Sequence, residues 1–107
     1  PNRPIKLIIG FPPGGITDII FRGAAQEVAK FLRQPVVVEN KAGAAGVPAY
    51  LALKQAAPDG YTIGGVNPAL WRQPVLEDVP YDPIRDFTYI VNIAETVFAV
   101  IVAANSP

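Results

Sequence analysis

A chain of 107 residues that is half apolar and only 17% charged is long enough for one small domain and too apolar to be disordered. Nine basic and nine acidic residues cancel, with no Lys/Arg run to follow a phosphate backbone, so nucleic acid is excluded as a partner. No apolar run approaches the roughly 20 residues of a bilayer span, so direct membrane insertion is not expected; without Cys or His, thiol and imidazole chemistry and a zinc site are excluded, and no cofactor is expected.

Pro1 in place of an initiator Met fits a processed or trimmed N-terminus. The first element is a strand: Ile5, Leu7, Ile8 and Ile9 form a short apolar run rich in β-branched residues. The chain breaks on Gly10, Pro12, Pro13, Gly14 and Gly15, and a helical pattern begins at Thr17. A strand, a glycine-containing turn and a helix start leave free backbone N–H groups at the positive end of a helix dipole, which favours an anion. Thr17 and Asp18 are N-cap-type residues at that entrance. The same pattern also describes a well-capped βα turn that binds nothing.

The helix is expected over Thr17–Arg33, with Ile20, Phe21, Ala24, Ala25, Val28, Phe31 and Leu32 on one broad face and Arg22, Gln26, Lys30 and Arg33 on a solvated one. Gly23 inside it suggests a close crossing with a neighbouring strand. Val36-Val37-Val38 reads as a second buried strand, and the stretch from Asn40 to Gly46 as a second glycine-containing βα turn. A short helix follows over Val47–Ala57, with Pro48 in its first turn. Pro58-Asp59-Gly60 is a turn, and Tyr61-Thr62-Ile63 opens a third strand running into Gly64-Gly65-Val66. Around Asn67–Trp71 a short helix can start, and Val79–Pro83 is too proline-rich to be regular. Phe87–Ala94 and Val97–Ala104 read as two further strands. The fold class is therefore α/β, a β-α-β-α-β unit with a mostly parallel sheet and right-handed crossovers. Two or three helices for five strands leave apolar sheet uncovered, which points to part of a larger protein, a completing partner chain, or self-association through the uncovered sheet.

Several blocks together resemble the substrate-binding proteins of the tripartite tricarboxylate transporter system, the Bug receptor family. They are Pro4-Ile-Lys-Leu-Ile-Ile-Gly-Phe-Pro-Pro-Gly-Gly15 with Thr17-Asp18, Gln34-Pro-Val-Val-Val-Glu-Asn-Lys41 with Gly43 and Gly46, Ala57-Pro-Asp-Gly-Tyr-Thr62, Tyr81-Asp-Pro83 with Asp86-Phe87, and the closing Val-Ala-Ala-Asn-Ser-Pro107. The resemblance implies a type II periplasmic binding-protein fold, two α/β lobes closing over a small carboxylate, of which this chain carries only the N-terminal part. Residues 1–96 would then be the N-terminal segment of lobe I, and 97–107 a strand leading to the hinge and to a lobe II outside the chain. It further implies an extracytoplasmic solute receptor in the periplasm, not an enzyme, that hands its ligand to membrane subunits of the transporter.

The resemblance also implies that the first turn receives the ligand's carboxylate, through Pro13, Gly14, Gly15, Ile16 and Thr17. Asp18, itself acidic, orders the turn or a water more readily than it meets a carboxylate. In the turn after the third strand, Asn67 and Ala69 are the corresponding ligand-binding positions, Asn67 against the alternative of an ordinary Asn-Pro turn. Gly43 and Gly46 serve turn geometry, and Trp71 is core or rim unless it lines the cleft. Ile16 stands where the family leads one to expect a small or polar residue, which narrows the mouth and favours a less polar or differently shaped acid. The rival reading is a phosphate- or nucleotide-binding α/β enzyme segment, but Gly10-Phe-Pro-Pro-Gly-Gly-Ile-Thr17 lacks both the Gly-Lys-Ser/Thr ending of a P-loop and the G-x-G-x-x-G spacing of a dinucleotide turn.

Overall fold

In a computed structural model, which describes residues 1–95 together with 101, 103 and 104, the apolar run at the start of the chain becomes the middle of a parallel sheet. Strand β1 (Ile5–Ile9) pairs on one side with β2 (Val36–Asn40) and on the other with β3 (Thr62–Gly65), in the order β2-β1-β3. Ile5 lies opposite Val36, and Lys6 opposite both Val37 and Thr62. The central position explains the composition: a strand covered on both faces needs a near-continuous apolar run, and Ile5, Leu7, Ile8 and Ile9 are all buried.

Alternation sorts the side chains between two layers. Leu7 and Ile9 pack with Ala25, Phe21, Val36, Val38 and Ile63 under helix α1 (Ile16–Leu32). On the other side, helices α2 (Val47–Lys54) and α3 (Ala69–Leu76) build a second cluster around Tyr50, Leu70 and Tyr81, joined by Val66, Val79 and Phe87. Tyr81 meets Tyr50 and Phe87 edge-on, with ring centroids 5.6 and 6.0 Å apart. Its hydroxyl donates to the Leu70 carbonyl at 3.1 Å. A helical turn at Ala44–Gly46 precedes α2, and Pro48 does sit in the first turn of α2.

Several expectations are corrected. Phe87–Ala94 contains no strand. Its apolar residues suit a ladder, but its aromatics bind it to helices instead: Phe87 joins the Tyr81 cluster, and Tyr89 stacks on Trp71 at 5.2 Å and donates to the Pro83 carbonyl. The strand expected over Val97–Ala104 lies, but for residues 101, 103 and 104, outside the described residues. The broad apolar face of α1 is only partly used. A helix of 17 residues is about 25 Å long against about 17 Å for a five-residue strand, so its C-terminal turns overhang the sheet. Phe31 is accordingly 87% exposed, and Ile20 and Val28 are exposed too. β2 is an edge strand with Val37 exposed, not a buried one. Gly23 makes no close crossing, since a Cβ there would meet nothing within 4 Å.

The glycines that do matter lie at the C-terminal end of the sheet. A Cβ on Gly10 would come within 2.6 Å of the Gly46 Cα, so the first and second βα turns touch backbone to backbone. In urea or thermal unfolding, Gly10→Ala is expected to destabilise by about 1–3 kcal/mol because backbone must move. Gly23→Ala, on an exposed helix surface, is expected to stabilise by about 0.5–1 kcal/mol. Equal effects at the two sites would contradict the backbone contact.

Candidate functional site

Three turns follow the three strands at one end of the sheet, residues 10–15, 41–46 and 66–68, and the first feeds the long helix α1. In open parallel sheets this is the end at which ligands bind. Thr17 and Asp18 do not cap α1, contrary to expectation. Gly15 occupies the N-cap in extended conformation with no side-chain cap, while Gly14 turns the chain through a left-handed φ of 81°. A glycine fits there because an L side chain is disfavoured at positive φ.

Asp18, in the third helical position, reaches back instead. Its carboxylate is buried and accepts hydrogen bonds from the Gly14 N–H, the Arg22 Nε–H and the Asn40 Nδ2–H, each at 2.9 Å. The same Asn40 amide donates to the Phe11 carbonyl at 2.9 Å, and its Oδ1 accepts from Arg22 Nη2. One carboxylate thus ties the first turn to helix α1 and to the end of β2, a variant of the reach-back in a capping box. The Arg22 guanidinium, then the Gly14 and Asn40 donors, hold the Asp18 carboxyl down to about 2 from its ordinary 3.8, against the opposing effect of burial. Arg22, expected on a purely solvated face, is half of this arrangement. Its position four residues after an acid was the available signal. Asn40 lies 22 residues from Asp18 and carries no local sign of its role.

With Asp18 turned inward, its charge is matched within the protein and does not confront an incoming anion. The Gly14 N–H is committed to it, and the Gly15 N–H lies 3.4 Å from the Pro12 carbonyl. Among the described residues, the N–H groups of Ile16, Thr17 and Asp18 make no hydrogen bond. These are the orphan donors of a helix N-terminus, at the positive end of a 17-residue dipole. Ile16 is 73% exposed beside them, and Pro13 and Gly15 are exposed with it.

The second turn runs through four positive φ values in succession, Gly43 at 116°, Ala44 at 40°, Ala45 at 52° and Gly46 at 95°. Each left-handed alanine costs about 1–2 kcal/mol, offset by the packing of the turn against Gly10. In the third turn, Asn67 Oδ1 accepts the Ala69 N–H at 2.8 Å and its carbonyl accepts the Leu70 N–H at 3.0 Å. Asn67 therefore braces the start of α3 from one residue before its N-cap Pro68, and Ala69 is buried with its amide committed. The Asn67 Nδ2 group makes no hydrogen bond among the described residues. Trp71 is half-exposed and stacked on Tyr89, a rim position. Cavities of about 280 and 360 Å³ lie on the faces of the sheet, one between α1 and β2 beside Arg22 and Val38, the other between the sheet and α2 beside Lys6, Lys41 and Gln55.

Because the Asp18 carboxyl is depressed, the stability it contributes is in place above its ordinary pKa of 3.8 and is lost as pH falls towards about 2. Asp18→Asn is expected to lower the melting temperature at neutral pH, with the gap to wild type closing across that acid window. A gap that stays constant down to the lower limit would show that the charge contributes nothing.

A family model described as the tripartite tricarboxylate transporter family receptor matches residues 20–107. A Cupriavidus necator relative, described as the UPF0065 protein in the gbd 5' region, is 46% identical over 107 residues, covering 100% of this chain and 33% of its own length. Among solved structures, MatC from Rhodopseudomonas palustris with bound malate superposes with a TM-score of 0.71 and 34% identity, over 82% of this chain and 31% of that one. An R. palustris protein solved with adipate gives 0.59 and 31%, over 60% of this chain and 21% of that one. The chain thus spans about a third of the length of the first of these relatives. With four-fifths of its residues inside the matched region, it belongs to the receptor family of the tripartite tricarboxylate transporters.

Proposed function

We propose that this chain is the N-terminal segment of lobe I of a periplasmic solute receptor that captures a small carboxylate and passes it to the membrane subunits of its transporter. The observation that carries this reading is the set of N–H groups at Ile16, Thr17 and Asp18 that make no hydrogen bond among the described residues, beside an Asp18 carboxylate whose charge is already matched. Backbone donors at a helix start, with the dipole behind them, suit a carboxylate. The relatives solved with malate and with adipate support an acid of that size. No helix among the described residues is long and apolar enough to cross a membrane.

In this reading Pro13, Gly14, Gly15 and Ile16 shape the rim, Thr17 adds a hydroxyl beside the free amides, and Asp18 orients the turn without touching the acid. Asn67 offers Nδ2 from the third turn, and Ala69 contributes through the fixed start of α3 rather than through its amide. The exposed Ile16 side chain places an apolar wall beside the carboxylate donors, which favours acids with an apolar body. Residues 1–96 belong to lobe I and 97–107 lead to the hinge. A ligand held only by this rim would be half solvated, so tight binding requires the opposing lobe. The chain acts as a binder, not a catalyst.

Isothermal titration of the full-length gene product against mono-, di- and tricarboxylates, malate and adipate among them, tests the reading. At least one acid is expected to bind, and Thr17→Ala to weaken it by about tenfold, the scale of a hydrogen bond to a charged group. No binding across the panel would overturn the proposal.

A further inference from the structure

Asn40 is the last residue of β2, two places on from Val38 on the face that α1 covers. Its single amide meets three partners, each at 2.9 Å. Nδ2 donates one hydrogen to the Phe11 carbonyl and the other to Asp18 Oδ1, while Oδ1 accepts from Arg22 Nη2. Arg22 in turn donates from Nε to Asp18 Oδ2, so Asp18, Arg22 and Asn40 close a ring of side chains in which every pair is bonded. The ring demands one residue type at position 40. The side chain there gives two hydrogens, to a carbonyl and to a carboxylate, and accepts one from a guanidinium. A primary amide does this; a carboxylate, a single hydroxyl or an apolar side chain does not.

What the ring restrains is a competing anion. Asp18 is the third residue of α1, so its carboxylate is tethered beside the N–H groups of residues 16–18, which make no hydrogen bond among the described residues. Acids in the first turn of a helix are attracted to its N-terminal amides, and a tethered carboxylate has the advantage over a dissolved one. Here both oxygens are engaged elsewhere. Oδ2 accepts from the Gly14 N–H and Arg22, and Oδ1 accepts, among the described residues, from Asn40 alone. We propose that Asn40 is a positioning residue for the ligand site: its neutral amide keeps the Asp18 carboxylate in the ring and so leaves the helix start to an external acid. The inference rests on the receptor reading above. The neighbouring charges on β2 do not take part, since Glu39 pairs with Lys41 and with Lys6 beside α2, on the other face of the sheet.

Asn40→Asp in the full-length protein keeps the size of the side chain and removes both donors. Two carboxylates then share the ring, and like charges at this range push the second ionisation of the pair up. Below that raised value the new carboxyl keeps a proton and donates it to Asp18; as pH rises through it, the bond is lost. Relative to wild type with the same acid, affinity is expected to lie within about threefold at about pH 4.5 and to fall about tenfold or more at about pH 8. The Gly14 amide proton, read without ligand, is expected to titrate over the same interval in the variant, and in wild type only as pH falls towards about 2. Asn40→Ser, uncharged and with one short donor, is expected to weaken binding about fivefold at every pH, and it decides the matter if Asn40→Asp does not fold at neutral pH. An Asn40→Asp affinity whose ratio to wild type does not change with pH, or wild-type affinity in Asn40→Ser, would overturn the role of Asn40 and leave the receptor reading intact. A wild type that binds no acid would overturn both.

Discussion

The buried Asp18 carboxylate is the constraint on which the candidate site depends. Its three donors come from three parts of the chain: Gly14 in the first turn, Arg22 one turn further along α1, and Asn40 at the end of β2. Each donor alone would be a local bond. Together they fix the direction in which α1 leaves the sheet, and Asn40 adds the Phe11 carbonyl so that the turn is held at both ends. A carboxylate buried without such partners would be costly. Here it is charge-matched by Arg22 and fully hydrogen-bonded, and its depressed pKa reflects those partners.

The same arrangement resolves the apparent conflict of an acidic residue at the mouth of an anion site. The charge is matched by Arg22 and taken up by its three donors, while the N–H groups of residues 16–18 make no hydrogen bond among the described residues. The rim is then continued by contact rather than by sequence. Gly10 meets Gly46, Gly46 lies against Tyr50, and Tyr50 packs in the cluster with Leu70 and Val66. Lys54 and Asp86 secure the segment that follows: Asp86 accepts from Lys54 Nζ and from the Asp82 N–H at 2.8 and 2.7 Å, and Lys54 holds its carboxyl below the usual range. Residues 81–86 are thus pinned to α2, which in turn supports the second and third turns.

Much of this was legible in the sequence where one residue type and one neighbour suffice. β1 was, because a central strand needs an unbroken apolar run. The glycine turns and the parallel βαβ order were, because punctuation and periodicity are local. What failed were judgements that depend on distant partners. Phe87–Ala94 has strand composition, but Phe87 packs in the Tyr81 cluster and Tyr89 stacks on Trp71 of α3. Phe31 fits an apolar helix face, but the sheet beneath is shorter than the helix. Thr17 and Asp18 have capping chemistry, yet Gly15 holds the cap position. Asn40 carried no local signal, since it acts through partners brought close only by folding.

The most direct measurement is the amide proton and nitrogen shifts of Gly14, Ile16, Thr17 and Asp18 in the full-length protein as a binding carboxylate is added. If the helix start holds the acid, the Ile16, Thr17 and Asp18 protons move downfield and exchange more slowly, while Gly14, already bonded to Asp18, changes least. Unchanged signals at residues 16–18, with bound acid detected elsewhere, would contradict the account.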